Sequence, residues 1–570
     1  MREFKIYWNE EEKVPVIVDE EMDGIRIKNE NLRYIATDFR PVFLEEKHLI
    51  KELFNLDDDV YGSSVWCTKQ GKYIINGERL KKSAIKEAKN IDNIESFRSK
   101  ILSFKKTEEM SRREKEILDK FVELNRQYLY YLLESKERDD EGHYIGAYPF
   151  INEVSEKYGN RVKMVSFSGG KDSTAVSHLV RKALNDQSVL HIFGNTTLEL
   201  PKTYEYVEKF KENNPMTPFF EEKNEENNFF EMCEEIGPPS RVKSWCCSIF
   251  KTGPMGTTLS NFNENFLTFY GVRRKESLSR SKYKKISLTP KIQGEMVASP
   301  VIDWLDIDIW LYLLTEKIEF NDSYKQGFAR VGCWVCPNNS YWSQLLSKLY
   351  VVKEFNSDIK FDYNDWEEFL NKFAKKIILD YNNKNNKKLS KNELSKEIKD
   401  YVLEGKWKAR QGGAGLEKSA NVVIESKRCI NEKNSYNFTL NRGIGDEFFE
   451  LFKPFGKLNF TNKGKQQEVY IISRKEEVLF KILYKEKNFD VKITLIDTKD
   501  RYLYGKIIKQ LNKYNSCIYC QACNSTCKFG AITVGKNSYK IDSSKCINCL
   551  NCVSRFQMGC LIASALKIKK

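Results

Sequence analysis

Histidine is almost missing: the chain has four in 570 residues. That leaves little imidazole for acid–base chemistry and makes a histidine-based zinc site a poor fit. Long apolar runs are missing too, and no stretch reaches membrane-spanning length. The opening residues, MREFKIYWNEEEK, hold no apolar signal-peptide core, so the expected location is the cytoplasm, with no membrane partner. A dominant charge of one sign is also absent. The net charge of +14, from 94 Lys+Arg against 80 Asp+Glu, is a modest excess at this length. It fits an anionic nucleotide or an acidic redox partner as well as a nucleic acid. Much of it is solvated face, as in the stretch YNNKNNKKLSKNELSKEIKD from Tyr381 to Asp400, which reads as an exposed linker or surface helix.

Cysteine is plentiful by contrast, with 15 residues. In a reducing compartment, clustered cysteines point to metal or catalytic use and not to disulfides. Residues 517–527 read CIYCQACNSTC, giving Cys517, Cys520, Cys523 and Cys527; residues 546–560 read CINCLNCVSRFQMGC, giving Cys546, Cys549, Cys552 and Cys560. Three closely spaced thiolates wrap one corner of a cubane, and a remote fourth completes the other cluster. Cys517, Cys520 and Cys523 therefore go with Cys560, and Cys546, Cys549 and Cys552 with Cys527. Eight thiolates would also hold two zinc ions, but the repeated triplet favours two 4Fe–4S clusters and an electron relay. Over residues 512–566 the segment resembles the bacterial two-cluster ferredoxins, with GAIT after Cys527 matching their short strand. Lys528 stands where that family has proline, and the second motif has a longer run before its last cysteine. Cys67 and Cys429 lie apart and are assigned no role.

Strand and helix patterns alternate in the middle of the chain. VKMVSF, SVLHIF and LTFYGV read as strands, and TAVSHLVRKAL and DWLDIDIWLYLLTEK as helices. That order predicts an α/β domain with a mostly parallel sheet. Four domains are expected: a small β-rich domain over 1–105, the nucleotide domain with its leading helix over 106–345, a helical linker with a small α+β domain over 346–511, and the cluster domain over 512–570. One helix is expected over about 108–135, and two or three strands in QEVYIISRKEEVLFKILYKEKNFDVKITLIDTKD.

SGGKDS follows the first of these strands. Ser168, Gly169 and Gly170 make a tight turn whose N–H groups, with the following helix, cradle an anion. Lys171 adds charge, Asp172 caps the helix or holds the loop, and Ser173 supplies a hydroxyl. The pattern is not GxxxxGK[ST], which disfavours an ordinary P-loop ATPase. A second cysteine set comes from SWCCS and GCWVCP: Cys246, Cys247, Cys333 and Cys336. These four would hold a third 4Fe–4S cluster or a zinc ion, and spacing leaves both open. YGVRRKESLSRSKY follows another strand and brings Arg273, Arg274, Glu276, Ser277 and Arg280 to the edge where open sheets bind ligands. Lys251 and Arg330 add to the same anion pocket.

These segments, with NTTLELPKTY, PPSRVKSWCCSIFKTGP, PVIDWLDIDIWLYL and FARVGCWVCP, resemble in order the phosphoadenylyl-sulfate and adenylyl-sulfate (PAPS/APS) reductase family, over about residues 160–340. The resemblance implies an adenine-nucleotide α-hydrolase-like fold. It places Asn195, Thr196, Leu200, Pro201 and Thr203 in a second nucleotide loop, although the usual Asp before the Thr is absent. It makes Cys246, Cys247, Cys333 and Cys336 ligands of a 4Fe–4S cluster beside the sulfonucleotide. Lys171, Arg273, Arg274 and Arg280 are then expected to stabilise charge during catalysis. The family's nucleophilic cysteine, in an ECGLH-like motif, has no counterpart here. The expected activity is reductive cleavage of an adenosine sulfonucleotide, PAPS ahead of APS, to sulfite. Electrons would come through three clusters from a low-potential donor or a flavoprotein subunit carrying FAD, in an oligomer. The alternatives are an ATP-dependent sulfurtransferase acting on nucleic acid, and a non-enzymatic electron carrier.

Overall fold

The computed structural model describes residues 3–19, 31–262, 264–288, 292, 295–353, 360–416, 426–429, 432–463, 466–527 and 529–568. Lys528, the departure from proline, lies outside them.

Val162–Phe167 is a central strand whose Met164, Val165 and Phe167 are fully buried, as expected where both faces of a sheet are covered. Across the six-stranded sheet the order is Phe219–Glu222, Leu190–Gly194, Val162–Phe167, Phe266–Tyr270, Glu295–Ala298, Ile286–Leu288. The first five run parallel and the last pairs antiparallel. The chain therefore starts in the middle, moves outward on one side, and returns to the other side of its first strand. That reversal opens a crevice at the carboxyl ends of Val162–Phe167 and Phe266–Tyr270. The helix Lys171–Leu184 follows the first strand, buries Ala175, Val176, Leu179 and Val180, and ends at Asn185 in the left-handed region.

The first hundred residues hold two antiparallel sheets, of three and four strands. They also hold the helices Leu44–Phe54, Ala84–Lys89 and Ile94–Leu102, more helix than the strand-like sequence suggests. Ile6, Trp8, Phe39 and Trp66 from this region share one core with Val165, Leu267 and Trp310. The helix expected over 108–135 is two, Glu108–Leu124 and Arg126–Glu134. The break is Asn125. Its side chain accepts from the Ile17 N–H (2.7 Å) and donates to the carbonyls of Pro15 (3.0 Å) and Phe121 (2.7 Å). A buried anchor on the strand Val14–Asp19 replaces helix continuity there.

Beyond the helix Tyr363–Lys384, three strands (Gln466–Ile472, Val478–Tyr484 and Asp490–Leu495) belong to a six-stranded antiparallel sheet. The helix Leu503–Ser516 packs Ile507 and Leu511 into the core of that sheet. The same core takes in Ile532, Val534, Tyr539 and Val553, so the cysteine-rich tail folds onto it. No described helix is long and apolar enough to cross a membrane.

Candidate active site

The SGGKDS loop sits at the crevice. Gly169 has φ +68, and a Cβ there would lie 2.8 Å from Thr203 Cγ2, so the turn needs glycine. The Ser168 N–H donates to Ser173 Oγ (3.1 Å), and Ser173 Oγ donates to the Gly170 carbonyl (2.9 Å). The Lys171 N–H donates to Tyr324 Oη (2.9 Å), and Asn321 Nδ2 donates to the Gly169 carbonyl (3.1 Å). These bonds fix the loop over the positive end of the helix Lys171–Leu184. Across the crevice, a Cβ on Gly271 would lie 2.6 Å from the Asp172 carbonyl carbon, so the two strand-end loops touch backbone to side chain position.

Beneath the loop lies a buried ion network. Lys171 Nζ pairs with Asp172 (2.9 Å) and Asp306 (3.0 Å); Arg273 pairs with Asp306 (2.7 Å) and with Asp172. Burial opposes the Asp172 charge, but Arg273 and Lys171 outweigh it and hold the carboxyl well below the usual range. The two aspartates likewise hold Lys171 above its usual range against burial. Lys171 and Arg273 are thus partnered, and they shape the site more than they face into it. Asp38, from the N-terminal region, accepts from the N–H groups of Asp306 (3.1 Å) and Ile307 (3.2 Å). Burial, and then the charge of Asp306, push the Asp38 carboxyl to about 6.

The remaining loop arginines diverge. Arg274 turns to Asp303 (2.5 Å), Glu141 (3.5 Å) and the Tyr283 carbonyl (2.9 Å). Arg280 pairs with Glu276, whose carboxylate also accepts from the Arg273 N–H (3.3 Å). The Ser277 hydroxyl accepts from the Arg280 N–H (3.3 Å) and stays exposed. Burial and then the charge of Arg330 lower the pKa of Arg280, so the two cations lie within electrostatic reach of each other. Arg330 also lies within electrostatic reach of Cys336. An anion between Arg280 and Arg330 relieves that repulsion. Lys251 lies against Gly194 and near Glu199, on the far side of the crevice. A separate cavity of about 400 Å³ lies beyond Arg274, walled by Tyr128, Lys285, Asp303 and Asp308, and holds no cysteine.

SWCCS and GCWVC come together at this edge. The electrostatic neighbours of Cys246 are Cys247, Cys333 and Cys336. Cys333 forms a β-bridge with Glu199, and its sulfur sits 3.2 Å from Thr196 Oγ1. Burial raises the Glu199 carboxyl and the Cys333 thiol. In the tail, Cys517, Cys520, Cys523 and Cys560 line one cavity, with Lys513 and Tyr539 in its wall. Cys552 has Cys523, Cys546 and Cys527 as neighbours, while Cys549 is exposed. Cys560 thus lines the same cavity as Cys517, Cys520 and Cys523, and Cys527 lies within electrostatic reach of Cys552. No three candidate ligands among the described residues are grouped for a single metal ion; the ligands of a cubane stand farther apart.

The cavity walls offer their own test of what fits there. Lys513 is buried, and among the described residues no carboxylate pairs with it. The Tyr539 hydroxyl is buried without a hydrogen-bond partner, and its charged neighbours are Cys523, Cys552, Cys517 and Cys560. A lone buried ammonium costs several kcal/mol and an unmet hydroxyl about 1–3 kcal/mol. An anionic, sulfur-rich occupant satisfies both, so the donor set fits iron–sulfur clusters.

Sequence reading passed over Asp306, Asp38, Glu199, Tyr324 and Lys513. Asp306 and Glu199 sit inside segments already singled out; Asp38 and Lys513 carry no local signal. Cys67 and Cys233 are core residues whose thiols burial pushes up, Cys67 to about 12.

The site is thus a crevice at the carboxyl ends of a parallel α/β sheet with four cysteines at its edge. Residues 161–339 match the family model described as phosphoadenosine phosphosulfate reductase domain. Two uncharacterised proteins of Methanocaldococcus jannaschii are 32% and 31% identical over 40% and 37% of this chain. The chain spans 45% and 47% of their lengths. An adenosine 5'-phosphosulfate reductase of Bacillus subtilis is 26% identical over 35% of this chain and 84% of its own length. Among solved structures, a PAPS reductase from Candida auris aligns over 35% of this chain and 98% of its own at 14% identity, with a TM-score of 0.26.

Proposed function

We propose that the chain reduces an adenosine sulfonucleotide to sulfite and the adenosine phosphate, with electrons delivered through its own cysteine-held clusters. One observation carries this reading: the four-cysteine set at the crevice is also where the tail docks. The helix Gly253–Asn261 continues the Cys246–Cys247 turn, and a Cβ on its Gly256 would lie 2.6 Å from Ser525 Cα in the tail. Asn524 Nδ2 donates to Thr257 Oγ1 (3.0 Å), and Lys243 Nζ donates to the Ser564 carbonyl (2.5 Å). Trp245, Phe250 and Trp334 share one core with Cys520, Cys560 and Ile562. Burial of each large apolar side chain contributes about 1.5–3 kcal/mol, so this contact favours a fixed relay over a loosely tethered carrier.

The reaction breaks the bond between sulfur and the bridging oxygen. Two electrons, supplied singly by a low-potential donor, reduce sulfur; the oxygen leaves with the nucleotide phosphate, and charge balances without a proton. Clusters supply these electrons when bound. The chain's own groups stabilise the departing anions: the N–H groups of Gly169 and Gly170 at the helix end, and Arg280 with Arg330. Cys67 and Cys233 are buried, and Cys429 follows the strand Ser426–Arg428 of the separate antiparallel sheet, so none presents a thiolate at the crevice.

Anaerobic assays with APS, PAPS and ATP, supplied with a reduced one-electron donor, test the proposal. Sulfite from APS or PAPS is expected, without cleavage of ATP to AMP and pyrophosphate. ATP cleavage without sulfite release would replace it with the sulfurtransferase reading.

A further inference from the structure

The tail brings its two cysteine sets together around one side chain. Lys513 is 1% exposed, near the end of the helix Leu503–Ser516, just before the first cysteine motif. Its Nζ donates to the Cys552 carbonyl (2.9 Å) and lies 5.6 Å from the centre of the Tyr539 ring. Lys513 lines the same cavity as Cys517, Cys523 and Cys560 of one set, and Cys552 of the other lies within electrostatic reach. Among the described residues no carboxylate pairs with it.

We propose that Lys513 is the fixed counter-charge shared by the two cysteine sets of the tail, and that it raises the reduction potential of the clusters they hold. This rests on the cluster reading given above. A cluster held by four thiolates is an anion, and taking one electron from a low-potential donor adds one negative charge with no bond made or broken. A cation fixed in a low-dielectric interior favours the more negative form, and net charge near a cluster is a recognised control of its potential. Placed between the sets, one ammonium acts on both at once. It raises both potentials together and keeps both reducible by the same donor. The neighbouring Tyr539 hydroxyl, buried and unpartnered, acts in the same direction as a donor toward sulfur.

The test uses the full chain, loaded anaerobically with iron and sulfide, in three forms: parent, Lys513→Met and Lys513→Arg. Iron and sulfide are counted, and redox titrations are followed by electron paramagnetic resonance. At the parent's midpoint potential, Lys513→Met is expected to lower the reduced-to-oxidised ratio of the tail clusters about tenfold, equal to about 59 mV for a one-electron couple. Lys513→Arg is expected to stay within about twofold of the parent. Cluster loss in Lys513→Met with retention in Lys513→Arg also supports the proposal, because the position then requires charge. Full iron content with unchanged potentials in Lys513→Met overturns it and leaves the cluster reading standing. Cluster loss in both variants overturns it in favour of a packing role. A parent that takes up no iron overturns both this proposal and the cluster reading.

Discussion

Glu295 shows how a single buried carboxyl sets a pH dependence. It sits at the start of the strand Glu295–Ala298, accepts from Tyr270 Oη (3.0 Å), and is raised to about 7 by burial, against that hydrogen bond. Its folded pKa lies above the ordinary value of 4.5, so the folded state binds the extra proton in the window between them. Stability is therefore full below about pH 4.5 and falls as pH rises toward 7. Glu295→Gln is expected to match the parent at low pH and exceed it above neutrality by about 3 kcal/mol at most. Urea unfolding at several pH values reads this out, and a gap independent of pH would refute it. Arg280 gives a second residue-scale outcome. Arg280→Gln removes one of these two cations, Arg280 and Arg330, and is expected to raise the KM for the sulfonucleotide about 10–100-fold, the worth of a charged hydrogen bond. A pure loss of kcat with unchanged KM would place Arg280 elsewhere in the reaction. Lys171, Arg273, Arg274 and Arg280 were expected to act on charge, and the motif spacing was enough to bring their two loops to strand ends of the central sheet. It did not show which side chains are spent on Asp172 and Asp306, because that pairing depends on contacts distant in sequence, Arg273 with Asp172 and Lys171 with Asp306. Asp38 is harder still: it reaches the site from a region whose sequence has no bearing on nucleotides.

At the scale of elements, the contact between the helix Gly253–Asn261 and the turn Asn524–Thr526 is the one to break. Gly256 allows the two backbones to meet, and Gly256→Leu is expected to force them apart. Overpacking of this kind destabilises by about 1–3 kcal/mol. Hydrogen exchange should rise across 517–527 while Val162–Phe167 stays protected; an unchanged pattern would sink the assigned contact. The elements themselves were largely legible from sequence. The strand of VKMVSF, the helix after SGGKDS and the three strands after Gln466 follow from periodicity. The split at Asn125 did not, because helical periodicity continues through it and the reason for the break is the distant strand Val14–Asp19.

At the scale of the molecule, sequence motifs suggested separate units, yet the hydrophobic cores cross between them. The N-terminal sheets share a core with the central sheet, and the tail belongs to two cores at once. Motifs report chemistry held within short windows; the surfaces that join them are ordinary apolar residues, and nothing in their local pattern names a partner. Under the proposed relay, electron delivery depends on this packing as much as on the cysteines.

Cys560 is the last cysteine of the chain, and it closes against Trp245 and Phe250 with Ile562 behind it. With Leu561 and Ile562 it forms one wall of the cavity lined by Cys517, Cys520 and Cys523. Whatever occupies that cavity must arrive before the final segment settles, or wait for it to lift.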